Sequence, residues 1–361
     1  MASSPLSRRE TCGSDVSPED EEYNLELRIG AVFIILAVSL LTCAFPIIAK
    51  KFPRINLSSN IVFAIRHFGT GVLIATAFVH LLPKAFTNLG DPCLSDFWTQ
   101  EYPAMPGAIA LAAVFAVSLV EMLLHPARRI PEGVPGTGGC LQGMPGSGEC
   151  GPKRSCSRYQ CDGMGNQATE ATTSATVEDA EGTDLDEEKF RLTPEQKRQR
   201  GIVHCVLLEL GILFHSVFIG MTLSVSTGGA EFAILLVAIS FHQMFEGLAL
   251  GARIAAIDWP KKSLQPVWMA IAFGCTAPVG QAIGLAARSA YSPDSEVGLV
   301  LVGVMNAISA GLLVFASLVE LLAEDLLTNE SWAILRGKRR AVAFVLIFAG
   351  AVCMSLVGAW A

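Results

Sequence analysis

The sequence predicts an all-α polytopic membrane protein with eight transmembrane helices. Three observations predict it. Only 16% of the 361 residues are charged and 52% are hydrophobic, against about 25% charged in a soluble globular domain. Eight apolar runs have roughly the 20-residue length that a helix needs to cross a bilayer. Lysine and arginine also alternate between the loops, as the two sides of a membrane require.

The runs are 29–49, 61–82, 105–124, 202–225, 231–252, 266–287, 297–323 and 341–360. They are helices rather than barrel strands. In lipid every backbone N–H and C=O needs an internal partner, and these runs lack the two-residue alternation of a barrel strand.

Residues 1–28 read as an acidic tail. The first apolar run follows it and is long enough to span, so it is a span rather than a cleaved signal. Residues 29–125 carry spans 1–3 and residues 202–361 carry spans 4–8. Between them, 126–201 is rich in Gly, Pro, Ser, Thr and acid and poor in large apolar residues. Such a segment buries too little to offset its ordering entropy and is expected to be disordered. Thr193-Pro194-Glu195 at its end reads as a helix start leading into span 4.

The loops after spans 1, 3, 5 and 7 hold twenty of the lysines and arginines. The tail and the other loops hold five, and Arg66 lies at the base of span 2. The basic side is the cytoplasmic one, so both termini are expected outside and 126–201 inside. Cys12 and Cys93 would then be the only cysteines outside and the one plausible disulfide pair. Cys140, Cys150, Cys156 and Cys161 fall in the long loop at spacings unlike a CxxC finger. They read either as inert cytosolic thiols or as a zinc-sensing or zinc-retaining group.

The spans hold groups that are costly in lipid. His80 lies in span 2, Glu121 in span 3, His204, Glu209 and His215 in span 4, His242 and Glu246 in span 5, and Glu320 in span 7. Spans 4 and 5 share the frame F-H-x-x-F-x-G at Phe214–Gly220 and Phe241–Gly247, 27 residues apart. A connection of about five residues makes the two spans antiparallel neighbours, so His215 and His242 should lie at similar depth near the midplane. Glu246 follows His242 by one turn on the same face, and Gln243 is three residues before it. Two imidazoles and a carboxylate that can converge suit zinc, iron and similar divalent ions. His80 is expected near the outer face, with Asp91, Asp96 and Glu101 just beyond as either an acidic entry funnel or a solvated loop. Glu121, Glu209 and Glu320 fall toward the cytoplasmic ends of their spans, as either an exit path or interfacial side chains.

The pair His215-Ser216-x-x-x-Gly220 and His242-Gln243-x-x-Glu246-Gly247 resembles the ZIP (Zrt-, Irt-like) metal transporters. Phe78-Val79-His80-Leu81-Leu82-Pro83 and Leu318-Val319-Glu320-Leu321-Leu322 are similar to further signatures of that family. The resemblance implies a 3+2+3 bundle in which spans 1–3 and 6–8 are inverted repeats around spans 4 and 5. It implies a primary metal site at His215, His242 and Glu246, with Gln243 at a position that is a metal-binding acid in some relatives. The extra ligands of a two-metal centre would fall on Ser216, Ile219, Gln243 and Ala277. Ile219 and Ala277 cannot bind metal, and Ser216 and Gln243 are weak ligands, so one midplane site is expected.

The expected function is uptake of zinc, or of iron or manganese, by alternating access. The expected location is the plasma membrane, in the manner of the fungal and plant branch. The expected partners are the transported ion, the bilayer and, as a homodimer, a second copy of the chain. No cofactor is expected. The net charge of −7 comes from two acidic regions and offers no basic surface for nucleic acid. No P-loop points to an ATP-driven pump. Other readings of buried His and Glu are an intramembrane zinc-dependent hydrolase, against which stands the lack of HExxH, and a metal-sensing receptor.

Overall fold

The computed structural model describes residues 25–52, 58–124, 193–226, 229–287, 295–328, 331–332 and 335–360. Apart from Thr193, these all belong to one compact unit. The rest of the second unit, 129–192, lies outside the described residues, as do Cys12, the four loop cysteines and His125.

Eight helices are long and apolar enough to cross a membrane: α1 Leu25–Lys51, α2 Ser59–Leu89, α3 Met105–Leu124, α4 Pro194–Val225, α5 Gly229–Ala256, α6 Gln265–Ala287, α7 Glu296–Leu326 and α8 Lys338–Gly358. Seven of them contain their expected span, most overrunning it, and α8 starts three residues before its expected span and ends two residues short of it, at Gly358. Helix α2 continues seven residues past the expected end at 82. Among the described residues there is no strand.

The helices pack as two sets. Helix α1 lies against α5 and α6, and α4 lies along α6. Helix α8 lies along α2, and α7 packs on α3 and on the last turns of α2. The sets meet chiefly where α2 touches α5 and where α4 touches α7. Lipid supplies no hydrophobic drive for helices to pair, so close backbone approach through small residues has to supply it. Gly220 on α4 and Gly280 on α6 form one such seam: a Cβ on either would come 2.1 Å from a carbonyl oxygen of the other helix, that of Ala277 or of Val217.

Arg28 belongs to the first turn of α1 rather than to the tail, and it is buried. Its guanidinium donates to the carbonyls of Leu223, Ser224 and Ser226 at 3.3, 2.7 and 2.6 Å, and it lies over the Phe232 ring. The last carbonyls of a helix have no partner within it, and a cation there also complements the helix dipole.

Candidate metal centre

Helix α4 presents His215 and α5 presents His242, and both rings are buried. The ring centroids are 5.5 Å apart, as the repeated frame and short connection require. One turn on, Glu246 brings Oε1 to 3.2 Å from His242 Nε2. His215, His242 and Glu246 each offer one ligand atom, and all three atoms lie within 4.8 Å of one another. Apart from that approach of Glu246 to His242, the ring nitrogens and the Glu246 oxygens are buried with no further hydrogen bond that meets ordinary geometry among the described residues. The same holds for both amide atoms of Gln243 and for Ser216 Oγ, each on a fully buried residue. An unsatisfied buried polar atom costs about 1–3 kcal/mol. Each imidazole keeps one lone pair and Glu246 two carboxylate oxygens, so the acceptors that converge here are a ready place for a cation.

His80 is not near the outer face. Its ring lies 5.3 Å from that of His215 and 5.1 Å from that of His242, so it belongs to the central cluster. The expected depth failed because α2 runs on to Leu89, leaving His80 nine residues, about 13 Å, from that end. His80 also sits in a π-helical segment, Thr76–Leu81. A second π-helical segment, Phe315–Leu322, holds Glu320. Such segments are rare and cluster at functional sites. The two carry the same frame, Val79-His80-Leu81-Leu82 and Val319-Glu320-Leu321-Leu322, one in each half of the chain.

Ile219 and Ala277 lie in an apolar cluster with Ala31, Ile35, Leu223, Phe232 and Ile239. Two of the positions that would complete a two-metal centre are therefore core.

A second cluster joins Glu121 of α3, His204 of α4 and Glu320 of α7, whose ligand atoms also lie within 4.8 Å of one another. His204 Nε2 is 3.2 Å from a Glu121 oxygen and 3.7 Å from a Glu320 oxygen. His204 and His215 are eleven residues apart, three turns, so one face of α4 carries both clusters about 16 Å from each other. Glu209 lies between them by position and is buried, but it joins neither cluster.

A third group was not legible in the sequence. Arg253 follows Glu246 by seven residues on the same face of α5 and donates to Asp325 Oδ2 at 3.0 Å and to the Thr70 hydroxyl. Arg66 donates to Asp325 Oδ1 at 2.5 Å. The network ties α5 to α2 and α7. Removing one partner of a buried ion pair leaves an uncompensated charge, at about 3–5 kcal/mol. Asp325→Asn is therefore expected to lower the unfolding temperature of the purified protein markedly. Adding Arg253→Gln should restore part of the loss, and a double variant no more stable than the single one would show the pair is not the cause.

Beyond the membrane helices, Cys93 is disulfide-bonded. Cys43, Cys205, Cys275 and Cys353 are not, and the expected partner Cys12 lies outside the described residues. Asp96 and Glu101 are exposed, and Asp91 accepts from the Cys93 amide at 2.8 Å.

The sequence model described as ZIP Zinc transporter matches residues 25–358, all eight helices. The chain belongs to the ZIP family. This ZIP chain is 34% identical to Zinc transporter 9 of Oryza sativa subsp. japonica, over 96% of its own length and 93% of that protein's. It is 32% identical to Zinc-regulated transporter 2 of Saccharomyces cerevisiae, over 93% of its length and 94% of the relative's. It is also 31% identical, over 93% and 86%, to a rice protein named Fe(2+) transport protein 2.

Proposed function

We infer that this protein carries divalent transition-metal ions, zinc first and iron or manganese after it, into the cytoplasm. The route is alternating access through His215, His242 and Glu246. The observation that carries this is the convergence of three buried ligand atoms, one each from His215, His242 and Glu246, within 4.8 Å of one another. Two imidazoles with one carboxylate suit zinc and its neighbours and disfavour calcium and magnesium, which take oxygen ligands. Names of the relatives, zinc transporters and one Fe(2+) transport protein, support the same order. Family membership and those names speak for a transporter and against a hydrolase.

The Lys and Arg bias supports a cytoplasmic face at the end bearing Lys50, Arg198, Lys261 and Arg339, in the plasma membrane with both termini outside. The ion then leaves past Glu121, His204 and Glu320, with Glu209 beside the route. Gln243 and Ser216 line the central site as neutral groups and shape it for one ion.

The test is radioactive zinc uptake into proteoliposomes holding the purified protein, with iron and manganese as competitors. Saturable uptake that His215→Ala abolishes supports the reading. Tight zinc binding without uptake would overturn it. The close ring contacts of His80 support a fourth ligand, so His80→Ala is expected to raise the KM for zinc about tenfold. An unchanged KM would return His80 to a packing role.

A further inference from the structure

We propose that Arg200 is a tethered competitor for metal at the cluster of Glu121, His204 and Glu320. Its guanidinium holds the imidazole's lone pair until an ion displaces it, and it hastens the ion's departure when it returns. The proposal rests on the reading that this cluster lies on the exit path.

Three atoms face one another there: His204 Nε2 and one oxygen each of Glu121 and Glu320, at 3.2 and 3.7 Å from that nitrogen. Arg200 Nε donates to the same Nε2 at 3.4 Å. A neutral imidazole has one donor nitrogen and one acceptor nitrogen. The same Nε2 is also hydrogen-bonded to Glu121 Oε1 at 3.2 Å, and one nitrogen serves one of the two at a time: with the proton on Nε2 it donates to Glu121, and with the lone pair there it accepts from Arg200. In the second arrangement the three facing atoms are all acceptors, and only a cation satisfies them together. Both oxygens of Glu320, which is 2% exposed, are buried with no hydrogen-bond partner. The cluster is thus built for more positive charge than Arg200 alone delivers.

A metal ion bonds to a neutral imidazole through this same lone pair. The Arg200 hydrogen bond and a bond from His204 Nε2 to the metal exclude each other. Arg200 lies one turn before His204 on α4, so it always stands within reach. It is half-buried, and a guanidinium keeps its charge at any physiological pH. Arg198, also close by in sequence, is committed to Glu195 at 2.6 Å. An ion arriving from the central site therefore has to push Arg200 aside, and a departing ion is replaced by it.

The experiment is zinc titration of the purified full-length protein in nanodiscs, with the number of ions and their affinities measured by calorimetry. Glu320→Gln identifies the cluster's ion as the one it removes. Arg200→Gln is expected to tighten that ion about tenfold and to leave the central ion unchanged. It should also lower the maximal rate of zinc transport with the KM retained. If the Glu320-dependent ion binds Arg200→Gln no more tightly than the native protein, the competitor role is overturned while the exit cluster stands. If Glu320→Gln removes no ion from either protein, the exit reading of this cluster falls and the Arg200 proposal falls with it, leaving the central site untouched.

Discussion

Glu246→Gln is expected to reduce saturable zinc uptake to background while the protein reaches the membrane at its normal level. The two side chains have the same shape, so the seam around α5 has no reason to reorganise. The charge differs. Glu246 is the one carboxylate among the three convergent ligands, and it is fully buried with Oε1 3.2 Å from His242 Nε2. Two neutral imidazoles and an amide leave the full double charge of the ion uncompensated in a low-dielectric interior, where the lost attraction far exceeds its value in water. A fall of about 100-fold or more in zinc affinity, ~2.7 kcal/mol, is the scale expected. A second readout separates this from misfolding. Without metal, the variant should be at least as stable as the native protein, because a buried carboxylate costs desolvation that an amide avoids, and the amide can still pair with His242. With zinc, the native protein should gain stability as ligand binding requires, and the variant should not. Normal uptake by Glu246→Gln would remove the carboxylate from the site.

That residue was legible before any coordinates. Its identity, its helix and the face it shares with His242 follow from an i, i+4 spacing inside an apolar run, and the frame repeated in spans 4 and 5 sets the two histidines at one level. What the spacing does not carry is lateral arrangement. His204, Glu121 and Glu320 come from three helices that are distant in sequence, and each alone reads as an interfacial side chain. They converge only because α7 packs against both α3 and α4. His80 was misplaced for a different reason. Its depth was measured from the end of the apolar run, while the helix continues through a less apolar stretch to Leu89. Nor does hydropathy signal the π-helical segments, which shift the face of every side chain after them. Arg253 falls one residue past the expected end of span 5 at 252, where a charge is normally solvated. Its pairing with Asp325 depends on α5 meeting α2 and α7.

Gly71→Ala is expected to remove the protein rather than its activity. A Cβ at Gly71 would stand 1.8 Å from the carbonyl oxygen of Ile347 and 2.8 Å from the amide nitrogen of Ala351. These are backbone atoms of α8, so no side chain can swing aside to make room. Gly350 on α8 makes the reciprocal contact, with a Cβ there 2.1 Å from the carbonyl oxygen of Phe68. The two helices touch backbone to backbone at this level, and one methyl group has to part them by an ångström or more. Two apolar clusters depend on the seam: Val72 and Ala75 with Met354, and Phe63 and Ile74 against the cluster of Ala343 and Ile347. Between helices in lipid such packing is the main attraction, so parting them forfeits it along the contact rather than at one point. Overpacking of this kind costs about 1–3 kcal/mol even where neighbours yield, and here they are main chain. The surface level of Gly71→Ala should fall well below that of the native protein, and its unfolding temperature should fall with it. Gly30→Ala is the matched control, because a Cβ there meets nothing within 4 Å; it should leave both unchanged. Helix α2 also carries His80, so whatever fraction of Gly71→Ala does fold should bind zinc more weakly. Full surface level with a native KM would mean that α2 and α8 can part without disturbing the centre, and that the tight seam contributes nothing to holding His80 in place.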